Sequence, residues 1–187
     1  MSEGISGAGL PQIERLFIKR VLVPSIRIVC TWNIALYMIK REVNIIEKLI
    51  KSFDEETLQK RVLIKRAFAI EDHSRDYSIN MTLEHLRIAG TNIMSVIDAL
   101  SNEKEFPEDI TIQAVKPKDN RKDEADFFFH FMKTYEEYIK KHKKNYSKKT
   151  KKHPWFVNFN NFDWSCFMYM HTFIHRRQIQ AIIKELK

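Results

Sequence analysis

Glycine and proline are scarce in this chain, four and five of 187 residues, well below average usage. No alternating apolar and polar run is bounded by Asn-Gly or Asp-Gly, the pattern that marks a hairpin. Both absences argue against a sheet-built protein and predict an all-α fold. There are only two cysteines, Cys30 and Cys166, each in apolar, helix-patterned surroundings. That is too few for a disulfide framework, and their placement does not suggest a cysteine-based metal site. They are expected as small buried side chains in a reducing compartment, hence a cytoplasmic protein. The first fifteen residues lack the basic segment and apolar core of a secretory leader. One apolar run, Val21 to Ile39 between Lys19-Arg20 and Lys40-Arg41, has about the length a bilayer requires. It contains Pro24, Arg27 and Asn33, and an arginine facing lipid is costly. A buried bundle helix, with no membrane partner, is therefore expected there.

The length suits one domain with its own core, expected over 10–187, with 1–9 as a disordered tail or tag remnant. Pro11 to Leu22 predicts a short helix ended by Pro24. Ile26, Val29, Ile34, Met38, Val43, Ile46 and Ile50 predict one long helix from Ser25 to about Phe53. Asp54-Glu55-Glu56 opens a minor helix expected to reach about Arg66, and Ala67 to Tyr77 is irregular and polar. Ser78 is read as the cap of a second long helix with the stripe Ile79, Thr82, Leu86, Ala89, Ile93, Val96 and Leu100. After a connection over 101–121, Phe127, Phe128, Phe131, Tyr135 and Tyr138 give an aromatic face to a third helix, about Arg121 to Lys144. The fourth runs from Asn161 to Leu186. Four long helices with extra short helices and long connections predict a four-helix bundle, whose core is a usual place for a metal site.

The net charge is +8, and much of the excess lies between Lys140 and Lys152. This stretch reads as a solvated helix end, where cations complement the dipole, and an exposed loop. Its alternative is an anion-binding patch of Lys148, Lys149, Lys151 and Lys152. Tyr146 is the only aromatic residue among these lysines, which argues against nucleic acid as the partner.

His171 and His175 carry the most information. Four residues apart on a helix, both imidazoles can point at one atom, a spacing that zinc, nickel, iron or manganese can use. Asn160 reads as the cap of their helix and Asp163 as its partner in a capping box. Trp164, Phe167, Met168, His171, His175, Gln178 and Ile182 share one face, so the histidines belong to an inward, apolar stripe. A catalytic site needs a third ligand from elsewhere.

His153-Pro-Trp-Phe-x-x-Phe, then Trp164, His171, His175 and Gln178-Ile179, resembles the last helix of the DinB-like (DinB/YfiT) superfamily. Asp76-Tyr77-Ser78-Ile79-Asn80-Met81-Thr82-Leu83-Glu84-His85-Leu86 is similar to that family's second helix. The two motifs together fit across most of 25–187. The resemblance implies a four-helix bundle holding a divalent metal on His85, His171 and His175, with zinc or nickel first and iron or manganese next. It also implies activation of a low-molecular-weight thiol, such as bacillithiol, mycothiol or glutathione, for transfer or isomerisation. Ile174 stands where a second histidine is often seen, and Val157-Asn158 where glycine is common; neither removes a ligand.

For the first ligand, His73 would serve only if its loop folded over the site. His130 is expected half-buried, His142 at the basic end, and His153 fixing a turn. Gln178 is a candidate partner for a ligand's outer N–H. Glu84 should point away from the site, so no general base for hydrolysis is evident. The alternative to a thiol S-transferase is a non-catalytic metal-binding stress or interaction protein, and a homodimer is compatible with either. With unperturbed imidazoles near pKa ~6.5, metal binding should weaken below about pH 6.

Overall fold

Among the residues that the computed structural model describes, 10–154 and 156–187, helices dominate. The expected tail at 1–9 and Trp155 lie outside them. Helix α1 spans Gln12–Val29, with α-helical turns Gln12–Phe17 and Val23–Val29 joined by a π turn at Ile18–Leu22. Pro24 does not end it, contrary to expectation. It falls at the start of the second α segment, where a missing N–H forfeits little, and the π turn has already interrupted the regular ladder.

The long helix expected over Ser25 to Phe53 is broken. Cys30 is extended, Thr31 caps a new helix through its Oγ1, which accepts the Ile34 N–H at 3.2 Å, and α2 runs Trp32–Ile50. The chain bends by 110° between α1 and α2, so the apolar run from Val21 to Ile39 is divided between two helices rather than forming one buried one. No single helix among the described residues is long and apolar enough to cross a membrane.

Helix α3, Glu55–Gln59, is capped by Asp54 as expected but stops well short of Arg66. Residues beyond it pair instead with the chain near Asp76: the Ile64 N–H donates to the Arg75 carbonyl at 2.9 Å, and Arg61 pairs with the Asp76 carboxylate. Helix α4, Ile79–Ser101, starts at Ser78, whose Oγ accepts the Met81 N–H at 3.0 Å. Helix α5 spans Glu124–Lys141. The strands β1, Lys151–Lys152, and β2, Asn158–Phe159, form a short antiparallel pair before α6, Asn161–Leu186. The capping box is present: Asp163 N–H donates to Asn160 Oδ1 at 2.8 Å, and Asn160 N–H donates to Asp163 Oδ2 at 3.1 Å.

The apolar faces dictate the packing. Helix α2 packs on α6, α6 on α4, α4 on α5, and α5 back on α2, burying Ile39, Ile46, Leu83, Ile97, Phe128, Tyr135, Trp164 and Ile179. On α5 the core face is Phe128, Phe131, Met132, Tyr135 and Ile139. Phe127 is 41% exposed, beneath the Arg121 guanidinium at 4.4 Å. His130 is exposed rather than half-buried, because it lies about 100° around the helix from its buried neighbour Phe131. Gly90 lets α4 approach closely: a Cβ there would stand 2.5 Å from Phe131 Cε1 and 2.9 Å from Met168 Cε. The connection over 102–123 is tied to α4 by Glu84, whose carboxylate accepts the N–H groups of Lys118 at 2.9 Å and of Asp119 and Asn120 at 3.2 Å.

Candidate metal centre

Packing α4 on α6 brings together three imidazoles far apart in sequence. Ring centroids of His85 and His171 are 4.9 Å apart, and those of His85 and His175, like those of His171 and His175, are 4.5 Å apart. One potential ligand atom from each lies within 4.8 Å of the others. Three histidines so placed can hold a metal ion.

Hydrogen bonds select the ring nitrogens. His85 Nδ1–H donates to the Val115 carbonyl at 2.7 Å, so Nε2 carries the lone pair. Gln178 Nε2–H donates to the Ser74 carbonyl at 2.7 Å, which turns Gln178 Oε1 toward His175 Nδ1–H at 2.6 Å. His175 Nε2 is thereby also a lone pair. His171 Nε2 is 3.0 Å from His85 Nε2, and His171 Nδ1 is buried without a hydrogen-bond partner among the described residues. With His85 Nε2 a lone pair, His171 Nε2 either donates to it or shares one cation with it. Imidazole nitrogens on one tetrahedral zinc at about 2.0–2.1 Å would be roughly 3.4 Å apart, close to the 3.0 Å between His85 and His171 and inside the 4.8 Å that spans the three ligand atoms. The donor set therefore fits a divalent ion.

Burial sets the charge state. It pushes His85 down to about 4, against the opposing hydrogen bond to Val115. His171 and His175 are held well below the ordinary range by burial first and by neighbouring imidazoles second. Neutral imidazole, the metal-binding form, thus persists to lower pH than the reference value allows. The expected loss of binding below about pH 6 moves down accordingly.

The triad forms part of the wall of a cavity of about 150 Å³. Here the structure shows one residue that sequence reasoning missed, Glu71, and beside it His73, the ligand candidate that required its loop to fold over the site. Glu71 and His73 line the same cavity, joined by Glu71 Oε2 and His73 Nε2 at 2.9 Å. Glu71 Oε1 is buried without a hydrogen-bond partner among the described residues, and burial raises this carboxyl to about 7. Glu71 has no sequence signal, since 67–77 shows no period, and His73 lines the cavity without joining the three clustered imidazoles. Their loop is held in place by the Gln178 bond to Ser74. Arg27 of α1 grips Asp163 with both prongs, at 2.8 and 2.7 Å, and so fastens α1 over the cavity.

The other histidines take separate places. His153 packs among Phe156, Phe159, Trp164 and Phe167. His142 Nδ1 accepts the Lys144 N–H at 2.9 Å and its Nε2–H donates to Ser101 Oγ at 2.6 Å. Of the four lysines read as an anion patch, Lys149 Nζ is 2.9 Å from Glu105, Lys151 Nζ donates to the Phe106 carbonyl at 2.9 Å, and the Lys148 N–H donates to Glu103. Lys152 follows in β1.

Compared with known proteins, the chain matches no family model, no curated protein and no solved structure.

Proposed function

We propose that the chain is a DinB-like four-helix bundle whose metal, zinc or nickel first, is held by His85, His171 and His175 and serves to activate a small thiol. The observation that carries this reading is the convergence of three neutral imidazoles, two with their Nε2 lone pairs fixed by outer hydrogen bonds. A bound divalent ion supplies positive charge at an open position, which lowers the pKa of a thiol entering it. The protein's part is positional. Val115 and Gln178 orient His85 and His175, and a largely apolar wall beside them strengthens electrostatic interactions relative to bulk water. Glu71, next to His73 in the same wall, is a candidate to receive the thiol proton. The cysteines are free thiols, in keeping with a reducing compartment such as the cytoplasm.

The test is a cobalt-substituted protein titrated with thiols. Entry of sulfur at an open coordination position should add a sulfur-to-metal charge-transfer band. If no thiol, hydrophilic or apolar, changes the spectrum, the centre is a closed metal site and thiol activation is wrong.

A further inference from the structure

We infer that the cavity beside the three histidines takes a compact, uncharged alkyl or aryl group, attached to a single polar head that meets the imidazoles. This rests on the reading of the triad as the place where the head group binds. The cavity has one polar end, formed by the histidines with Glu71, His73 and Lys116, and an apolar body contributed by three helices. Leu22 and Ile26 close it from α1, Ile93 and Val96 from α4, and Phe167 and Ile174 from α6. Arg27 also borders it, but its guanidinium is bound at both ends of the fork to Asp163.

Size and polarity then select the occupant. A dry apolar cavity of about 150 Å³ accommodates benzene, and the one here is of that volume. Glutathione carries two carboxylates and an ammonium, and each would lose its hydration against a wall of Leu, Ile, Val and Phe. An alkyl or phenyl group loses nothing there and gains from leaving water. The apolar part is thus a specificity element, and the metal-facing head supplies the chemistry.

The experiment is a chain-length series. Ethanethiol through octanethiol, benzenethiol and glutathione are titrated calorimetrically into metal-loaded and metal-free protein, with metal content measured separately by elemental analysis. Affinity should rise about fourfold per methylene, the equivalent of about 0.8 kcal/mol, and level off at roughly six carbons, the size of the ring that such a volume holds. Benzenethiol should match hexanethiol, and glutathione should bind no tighter than ethanethiol. Ala89→Leu and Ile93→Phe, both narrowing the cavity, should flatten the series while leaving metal content unchanged.

A flat series in the wild type, or glutathione binding tighter than hexanethiol, overturns the inference even if metal is bound. So does a steep series that neither variant changes, since the tail would then lie elsewhere. A steep series in protein that takes up no metal supports the apolar class and instead removes the metal reading.

Discussion

The two cysteines show how a neighbour divides chemistry between like side chains. Cys30 closes α1 and is half-buried, whereas Cys166 is buried in α6. A hydrogen bond from Cys166 is the main influence holding Cys30 down to about 7, while Cys166 is driven up in return and by burial. The thiolate is the nucleophile, so Cys30 should react with iodoacetamide at pH 7.5 at least tenfold faster than Cys166. Peptide mass spectrometry over a time course reads the ratio. Equal rates, or faster labelling of Cys166, would refute the assignment. Gln178 is a comparable case among amides. It fixes His175 only because its other end is already committed to Ser74.

At the level of elements, the spacing between α4, α5 and α6 depends on Gly90. Replacing a helical glycine by alanine normally stabilises by about 1 kcal/mol through propensity. Here the added methyl would meet Phe131 at 2.5 and 2.7 Å and Met168 at 2.9 Å, and overpacking costs typically about 1–3 kcal/mol. Packing should win: Gly90→Ala is expected to lower stability by about 1 kcal/mol in urea unfolding. A gain in stability would mean that α4 and α5 separate freely. The aromatic ring of Phe131 would have to move for the methyl to fit, which shifts the wall that α5 presents to the core.

For the molecule as a whole, buried histidines should dominate the pH dependence of the metal-free protein. His85 is pushed down to about 4 and His153 to about 3 by burial, and His171 and His175 lie below their ordinary value as well. Unfolded, these groups take up protons below about pH 6.5, and folded they do not until much lower pH. Their stability contribution is therefore present above pH 6.5 and lost on acidification, with a limiting slope of about 1.4 kcal/mol per pH unit for each. Glu71 works the other way. Its folded value of about 7 means that it favours the fold at low pH and loses this contribution as pH rises from 4.5 through 7. Glu124 is likewise raised by burial, and four imidazoles outweigh two carboxyls, so the urea midpoint of metal-free protein should fall between pH 7 and pH 5. A flat or rising midpoint would show that the histidines are solvated.

Sequence patterning revealed those parts of this molecule that local chemistry determines. Helices α4 and α6 follow from their apolar stripes and from the Ser78 and Asn160 caps, each completed within three residues. The break at Cys30 and Thr31 was hidden because apolar spacing continues through it, and only the Thr31 side chain marks the new start. Residues 60–66 carry a helix-compatible pattern, but their pairing with Arg75 and Asp76 draws them out of the helix. At the site, His171 and His175 were legible as an i, i+4 pair. His85 came from family resemblance, since nothing local reveals that α4 lies on α6. Glu71 and the link from Gln178 to Ser74 are products of tertiary folding alone.

His85, His171 and His175 are proposed to bind one divalent ion together. Elemental analysis of protein purified without an affinity tag tests it most directly, on wild type and on His85→Ala, His171→Ala, His175→Ala and His142→Ala. Close to one zinc or nickel per chain is expected in the wild type and in His142→Ala, whose imidazole bonds Ser101 and Lys144, and a loss of most of it in each of the other three. Equal metal content in all five proteins, or none in the wild type after incubation with either ion, would contradict it.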